Sequence, residues 1–222
     1  NLGVLRADTV NVVVHGHEPA LSEMLAVAAR DPEVLARARA AGASGLTLAG
    51  ICCTANEVLM RHGIPVAGSL LQQELAIVTG AVELMVTDVQ CVMPSLPEVA
   101  AAYHTKVVAT SEIARTVGAE HAPFDPARAL ASAKDLLFSA IANYARRDPK
   151  KVAIPRETNP LVAGFSVEAI KYMLGGSFRG SFRPLNDAIM QGRIRGVAGI
   201  VGCNNPRGCM DEIGRASCRE RV

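Results

Sequence analysis

The sequence predicts a doubly wound α/β fold, a Rossmann-like parallel sheet with helices on both faces, followed by the truncated start of a second domain of the same kind. Three observations point there. Short apolar runs rich in β-branched residues alternate with amphipathic stretches along the 222-residue chain. Half of the residues are apolar and Trp is absent, so the core is built from Val, Leu, Ile, Ala and Met. Four of the apolar runs end on a histidine or cysteine, and open parallel sheets bind ligands beyond the carboxyl ends of their strands.

The first strand is expected over residues 10–14, running into His15-Gly16-His17. Residues 21–41 carry Leu21, Met24, Leu25, Ala28, Val34, Leu35 and Ala38 on a helical face, interrupted near Asp31-Pro32 and stopped by Gly42. Residues 45–51 form the second strand and lead to Cys52-Cys53. Thr54 then caps a helix through Arg61, with Glu57 three residues on completing a capping box. A short strand over 64–67 precedes a helix over about 70–79. The strand over 84–90 leads to Cys91, and Pro94-Ser95 opens a helix. Residues 106–109 read as a strand and 111–117 as a short helix. Residues 124–147 read as a long amphipathic helix opened by Asp125-Pro126.

Residues 148–160, with three prolines and mixed charge, read as a linker. A helix from Ser166, a turn at Gly175-Gly176, a helix over 185–190 and a strand over 196–202 ending at Cys203 follow. The expected organisation is therefore one Rossmann-like domain over 1–150 and an incomplete second one over 151–211. Residues 212–222 show neither strand alternation nor an apolar helical face and read as a non-native tail. With no initial Met and a stop soon after Cys203, the chain is expected to be an internal fragment.

A formal charge of +2 gives no polybasic surface for nucleic acid or membrane. No apolar run reaches the roughly 18 residues of a membrane span, and the start lacks a signal-peptide layout. A cytoplasmic chain is expected. In that compartment six cysteines are thiols, metal ligands or redox groups rather than structural disulfides.

Thiolates and imidazoles together suit iron–sulfur clusters, zinc or nickel. Side chains alternate along an extended segment, so Cys52 and Cys53 rarely face one centre and one of them packs; spacing does not say which. His15 and His17, two apart, are separated only weakly by the same argument. His62, His104 and His121 stand alone and read as core or satisfied polar groups. Ser95, Ser111 and Ser166 read as helix caps. Gly199-Ile200-Val201-Gly202 lacks the full dinucleotide spacing, and no C-x-x-C is present.

Taken together, Val14-His15-Gly16-His17-Glu18-Pro19, Gly50-Ile51-Cys52-Cys53-Thr54-Ala55-Asn56-Glu57, Gln72-Gln73-Glu74-Leu75-Ala76, Asp88-Val89-Gln90-Cys91 and Gly202-Cys203-Asn204-Asn205 resemble the anaerobic nickel-containing carbon monoxide dehydrogenases over residues 8–207. The resemblance implies a nickel–iron–sulfur cluster of the Ni-4Fe-4S type. His17 and Cys53 would bind its outer iron, and Cys91 and Cys203 its other irons, with Cys52 and His15 in support. It implies reversible oxidation of CO with water to CO2, two protons and two electrons. It also implies a ferredoxin-like electron carrier, a homodimeric parent, and further 4Fe-4S clusters, a nickel-binding cysteine, a substrate-side lysine and a proton-path histidine outside this chain. The fragment alone is therefore expected to be inactive. The competing expectations are a hybrid-cluster reductase of small nitrogen compounds, which these Cys-Cys and Cys-Asn-Asn segments fit less well, and a non-enzymatic metal or redox module.

Overall fold

A computed structural model of the chain describes residues 1–160, 165–176 and 182–197. Two compact units are present, Asn1–Leu161 and Val162–Val222. The first holds six parallel strands: β1 (Val10–His15), β2 (Leu46–Ile51), β3 (Val66–Gly68), β4 (Val82–Thr87), β5 (Lys106–Ala109) and β6 (Glu120–His121). Their order is β3-β2-β1-β4-β5-β6, the doubly wound order in which the connections reverse direction beside the first strand. Parallel strands need crossovers. These are supplied by α1 (Pro19–Ala28), α2 (Pro32–Ala40), α3 (Cys52–Glu57), α4 (Gln73–Val78) and α5 (Leu96–Ala100), and α6 (Ala129–Tyr144) follows the last strand.

Alternation along β1 divides the core. Val10, Val12 and Val14 join Leu21 and Leu25 of α1, Val34 and Ala38 of α2, and Leu137 and Ile141 of α6. Val13 lies in the other layer with Ile51, Met85, Ala76 and Ile77 of α4, and Leu96 of α5. Every residue of β1 and β4 is buried, as a sheet covered on both faces requires.

The amino edge of the sheet is fastened by a buried polar network. The Glu83 carboxylate, fully buried, accepts from Arg147 at 2.7 Å on each oxygen, from His104 Nε2 at 2.8 Å and from the Asn11 N–H at 2.6 Å. Arg147 also donates to the carbonyls of Ala7, Thr9 and Ala81. Asn143 on α6 donates to the carbonyls of Glu83 and His104. The charge of Glu83 is thus paired and hydrogen-bonded, the condition for burying it.

Several elements differ from the sequence-based expectation. The helix expected over 111–117 is not formed: Ile113 and Val117 have helical spacing but are 91% and 94% exposed, with no apolar surface to cover. The two-residue β6 that follows is too short to leave a pattern. Thr54 is not a cap, because α3 begins two residues earlier at Cys52. Residues 148–160 lie within the first unit, where Ala153 N–H donates to the Thr79 carbonyl at 2.8 Å and Asn159 N–H to Asn1 at 2.8 Å. In the second unit, α7 (Val167–Gly175), capped by the Ser166 side chain, packs with α8 (Arg183–Met190). The strand expected before Cys203, and Cys203 itself, lie outside the described residues. Among the described residues no helix is long and apolar enough to cross a membrane.

Candidate metal centre

β2, β1 and β4 are neighbours, and their carboxyl ends are level: His15 is in register with Ile51 on one side and Thr87 on the other. The segments that follow, 16–18, 52–54 and 88–91, therefore leave the sheet side by side. Those after β1 and β4 flank the point where the winding reverses, the usual ligand crevice of this fold.

The β1 and β4 loops bind each other reciprocally. The Asp88 carboxylate, 3% exposed, accepts from the N–H groups of His17 and Glu18, each at 2.7 Å, and from its neighbour Val89. In return, the two histidine rings hold the β4 loop. His17 Nδ1 donates to the Val89 carbonyl at 3.1 Å, and His15 Nε2 to the Cys91 carbonyl at 3.0 Å. Gly16 makes the approach possible: its φ is +146°, and a Cβ there would lie 1.7 Å from Asp88 Oδ1.

Because a carbonyl can only accept, the Val89 contact puts the proton of a neutral His17 on Nδ1 and leaves the Nε2 lone pair to bind elsewhere. Histidines that bind metals usually donate their other ring N–H in this manner. His15 is fully buried, and burial pushes its pKa below the ordinary value, against the opposing influence of the Cys91 carbonyl and the Asp88 charge. It is therefore a neutral Nε2–H donor, and its buried Nδ1 makes no hydrogen bond of ordinary geometry.

The expectation of alternation fails at these loops because the chain leaves extended geometry at once. Gly16 breaks the run after His15, and Cys52 turns at φ +61° directly after Ile51. Cys52 packs against the apolar layer around Val13 and Ile51. Cys53 follows on α3, which is tied to the β1 loop by Thr54 N–H donating to the Gly16 carbonyl at 3.0 Å, and to α1 by the Thr54–Ser22 hydroxyl pair. Cys52, Cys53 and Cys91 are all half-buried. Gln90 and Cys91 take left-handed backbone angles, φ +62° and +54°, which side-chain-bearing residues rarely adopt. Three of the four described non-glycine residues with positive φ thus lie in these loops, where strain commonly accompanies function.

Among the described residues, no three His, Cys, Asp or Glu side chains meet at a point that would hold a single metal ion. A multi-iron cluster does not need one, since different ligands bind different irons. The remaining histidines are satisfied elsewhere: His62 pairs with Glu23 at 2.9 Å, His104 with Glu83, and His121 with the Ser111 carbonyl at 3.1 Å. Sequence reasoning missed Asp88 and Gln73 as determinants of the site. The buried Gln73 donates to the Cys91 carbonyl at 2.7 Å and accepts from Met93 N–H at 3.0 Å. The available signal was its helical spacing with Ala76 and Ile77, which puts a polar residue on an apolar face.

Comparison with known proteins bears on this geometry. The family model described as Prismane/CO dehydrogenase family matches residues 1–213. "Carbon monoxide dehydrogenase 1" of Methanosarcina acetivorans is 54% identical over 205 residues, 92% of this chain and 32% of its own. The "Carbon monoxide dehydrogenase/acetyl-CoA synthase subunit beta" of Moorella thermoacetica is 48% identical over 214 residues, 95% of this chain and 32% of its own. Among solved structures, "Carbon Monoxide Dehydrogenase IV from Carboxydothermus hydrogenoformans" superposes with a TM-score of 0.81 at 53% identity, covering 92% of this chain and 32% of that one. A structure titled "NiZn[Fe4S4] and NiNi[Fe4S4] clusters in closed and open alpha subunits of acetyl-CoA synthase/carbon monoxide dehydrogenase" superposes at 0.82 with 48% identity, covering 94% and 31%. The chain spans about a third of the length of these relatives.

Proposed function

Because the chain belongs to the Prismane/CO dehydrogenase family, we propose that it is an internal part of a carbon monoxide dehydrogenase and contributes His17, Cys53, Cys91 and Cys203 to a nickel–iron–sulfur cluster. The observation that carries this reading is the ring of His17. Its Nδ1–H is engaged by the Val89 carbonyl, two residues before Cys91 on the β4 loop, so Nε2 is the donor atom left over. Soft thiols beside an imidazole nitrogen fit an iron–sulfur group with nickel, and metal–sulfur clusters are named for a relative of similar fold.

The reaction is CO plus water giving CO2, two protons and two electrons. When bound, the cluster supplies a soft nickel for CO, a Lewis-acidic iron for water and a reservoir for the two electrons. The residues of this chain do the rest that falls to them. His17 and Cys53 would hold the outer iron, and Cys91 and Cys203 would each hold another iron of the cluster. Asp88 fixes the backbone of His17, and His15, neutral and buried, fixes that of Cys91. The packed layers below the loops keep bulk water from the sheet side of the crevice. The nickel cysteine, the substrate-side lysine, the proton-path histidine and the 4Fe-4S relay to a ferredoxin-like carrier belong to the rest of the parent, a cytoplasmic homodimer.

CO-dependent viologen reduction tests the reading. In the full-length enzyme His17→Ala and Cys53→Ala lower the rate by more than about a hundredfold, since even the outer partners of metal ligands are worth roughly 10- to 100-fold. His62→Ala stays within a few-fold. The 222-residue chain alone gives no rate above a metal-only blank. Full activity in His17→Ala would overturn the ligand assignment, and a rate from the isolated chain would overturn its dependence on the missing parts.

A further inference from the structure

The Cys91 loop holds two successive left-handed residues, Gln90 and Cys91, neither of them glycine. Such a conformation persists only where the surroundings over-determine it. The Cys91 carbonyl accepts two hydrogen bonds, from His15 Nε2 at 3.0 Å and from Gln73 Nε2 at 2.7 Å, which uses both of its lone pairs. The same carboxamide of Gln73 accepts from the Met93 N–H at 3.0 Å, two residues further on. One side chain on α4, fully buried, therefore clamps the loop on both sides of Val92. The helical neighbours of Gln73, Ala76 and Ile77, are core, so its carboxamide is a polar group on an apolar face.

We propose that Gln73 is a positioning residue for Cys91: it holds the peptide after the cysteine in the plane that the left-handed turn requires, and so presents the thiol to the cluster before any metal arrives. The proposal rests on the assignment of Cys91 as a cluster ligand. It differs from a packing role in what it predicts. Loss of the carboxamide alters the electronic environment of one cluster iron, and it alters the reactivity of Cys91 without altering that of Cys53.

Two variants separate the contacts. Gln73→Glu keeps the shape and the acceptor for Met93 N–H but sets an oxygen against the Cys91 carbonyl. Gln73→Met removes both bonds. Asn143→Ala, which cuts hydrogen bonds to Glu83 and His104 at the opposite edge of the sheet, is the control for general destabilisation. In the metal-free 222-residue chain, iodoacetamide labelling read by peptide mass gives the ratio of Cys91 to Cys53 reactivity. In the full-length enzyme, iron and nickel contents and the electron paramagnetic resonance of the cluster are recorded. Both Gln73 variants are expected to change the labelling ratio severalfold and to shift or broaden the cluster resonance, and to lower metal retention by about 10-fold or more. Asn143→Ala is expected to leave ratio and spectrum unchanged. Wild-type ratio and spectrum in both Gln73 variants would overturn the proposal while leaving the metal centre standing, as would the same changes in Asn143→Ala. A wild-type enzyme without iron would overturn the metal centre itself, and the proposal with it.

Discussion

Replacing Asp88 by alanine removes one carboxylate and strands three N–H donors, those of His17, Glu18 and Val89. Hydrogen bonds to a charged group contribute about 1.5–3 kcal/mol each, and an orphaned buried donor costs about 1–3 kcal/mol. His17 and Glu18 are only half-buried, so water recovers part of that loss. Deleting a charge that is 3% exposed also returns its desolvation penalty. The net expectation for Asp88→Ala is about 2–4 kcal/mol, a large share of a domain stability of roughly 5–15 kcal/mol. Asp88→Asn keeps one acceptor oxygen and is expected to cost about half as much. Equilibrium urea unfolding of the 222-residue chain measures both. The same experiment contains an internal check. Gly16→Ala places its Cβ 1.7 Å from Asp88 Oδ1, so it should be severe in the wild type and milder once Asp88 is alanine, where these carboxylate clashes are gone and the strain of φ +146° persists. A favourable coupling of at least about 1 kcal/mol in the double-mutant cycle is expected. An Asp88→Ala midpoint within about 0.5 kcal/mol of wild type, or strict additivity with Gly16→Ala, would refute the claim that this carboxylate organises the loop.

Arg147→Ala leaves the fully buried Glu83 charge without its guanidinium and should cost about 3–5 kcal/mol in the same unfolding assay; a loss below about 1 kcal/mol would show the network to be dispensable. The pair Asp31–Lys134 gives a pH signature. The Lys134 ammonium, hydrogen-bonded to Asp31 and 2.7 Å away, holds the Asp31 carboxyl below its ordinary 3.8 and is itself raised above 10.5. The depressed carboxyl stabilises the fold above its unfolded pKa and loses that effect as pH falls below it. The raised ammonium stabilises below 10.5 and loses its effect as pH rises beyond. Melting temperature against pH should therefore be flatter at both extremes in Asp31→Asn than in wild type, and parallel profiles would count against the pair.

How much of this was legible in the sequence depended on range. β1, β2, β4 and β5 announce themselves because strands buried on both faces read as continuous apolar runs. The histidines and cysteines stood out because those runs end on them. The side-chain directions did not, since the period-two rule stops where the strand stops, and Gly16 and Cys52 depart from it immediately. Asp88 was read as part of the strand expected over 84–90, whereas β4 ends at Thr87 and Asp88 opens the loop; its partners lie about 70 positions earlier in the chain, and no local pattern reports such pairings. The expected helix over 111–117 failed for the complementary reason: period alone was present, without a surface for Ile113 and Val117 to meet.

The fastening of Glu83, Arg147, Asn11 and Asn143 lies at the amino edge of the same strands whose far ends carry the loops of the proposed metal centre. The sheet is thus anchored at one end and worked at the other. Substitutions at the donor side chains of His17, Cys53 and Cys91 leave both the anchor and the Asp88 carboxylate in place, so a lineage can trial new donors, or lose old ones, while the protein still folds. Damage at the anchor has no such shelter: it lowers the stability of the whole sheet without altering a single proposed ligand. A screen for inactive variants of such a protein should accordingly return two populations, one folded and empty at the carboxyl edge, the other degraded and traceable to residues a strand's length away.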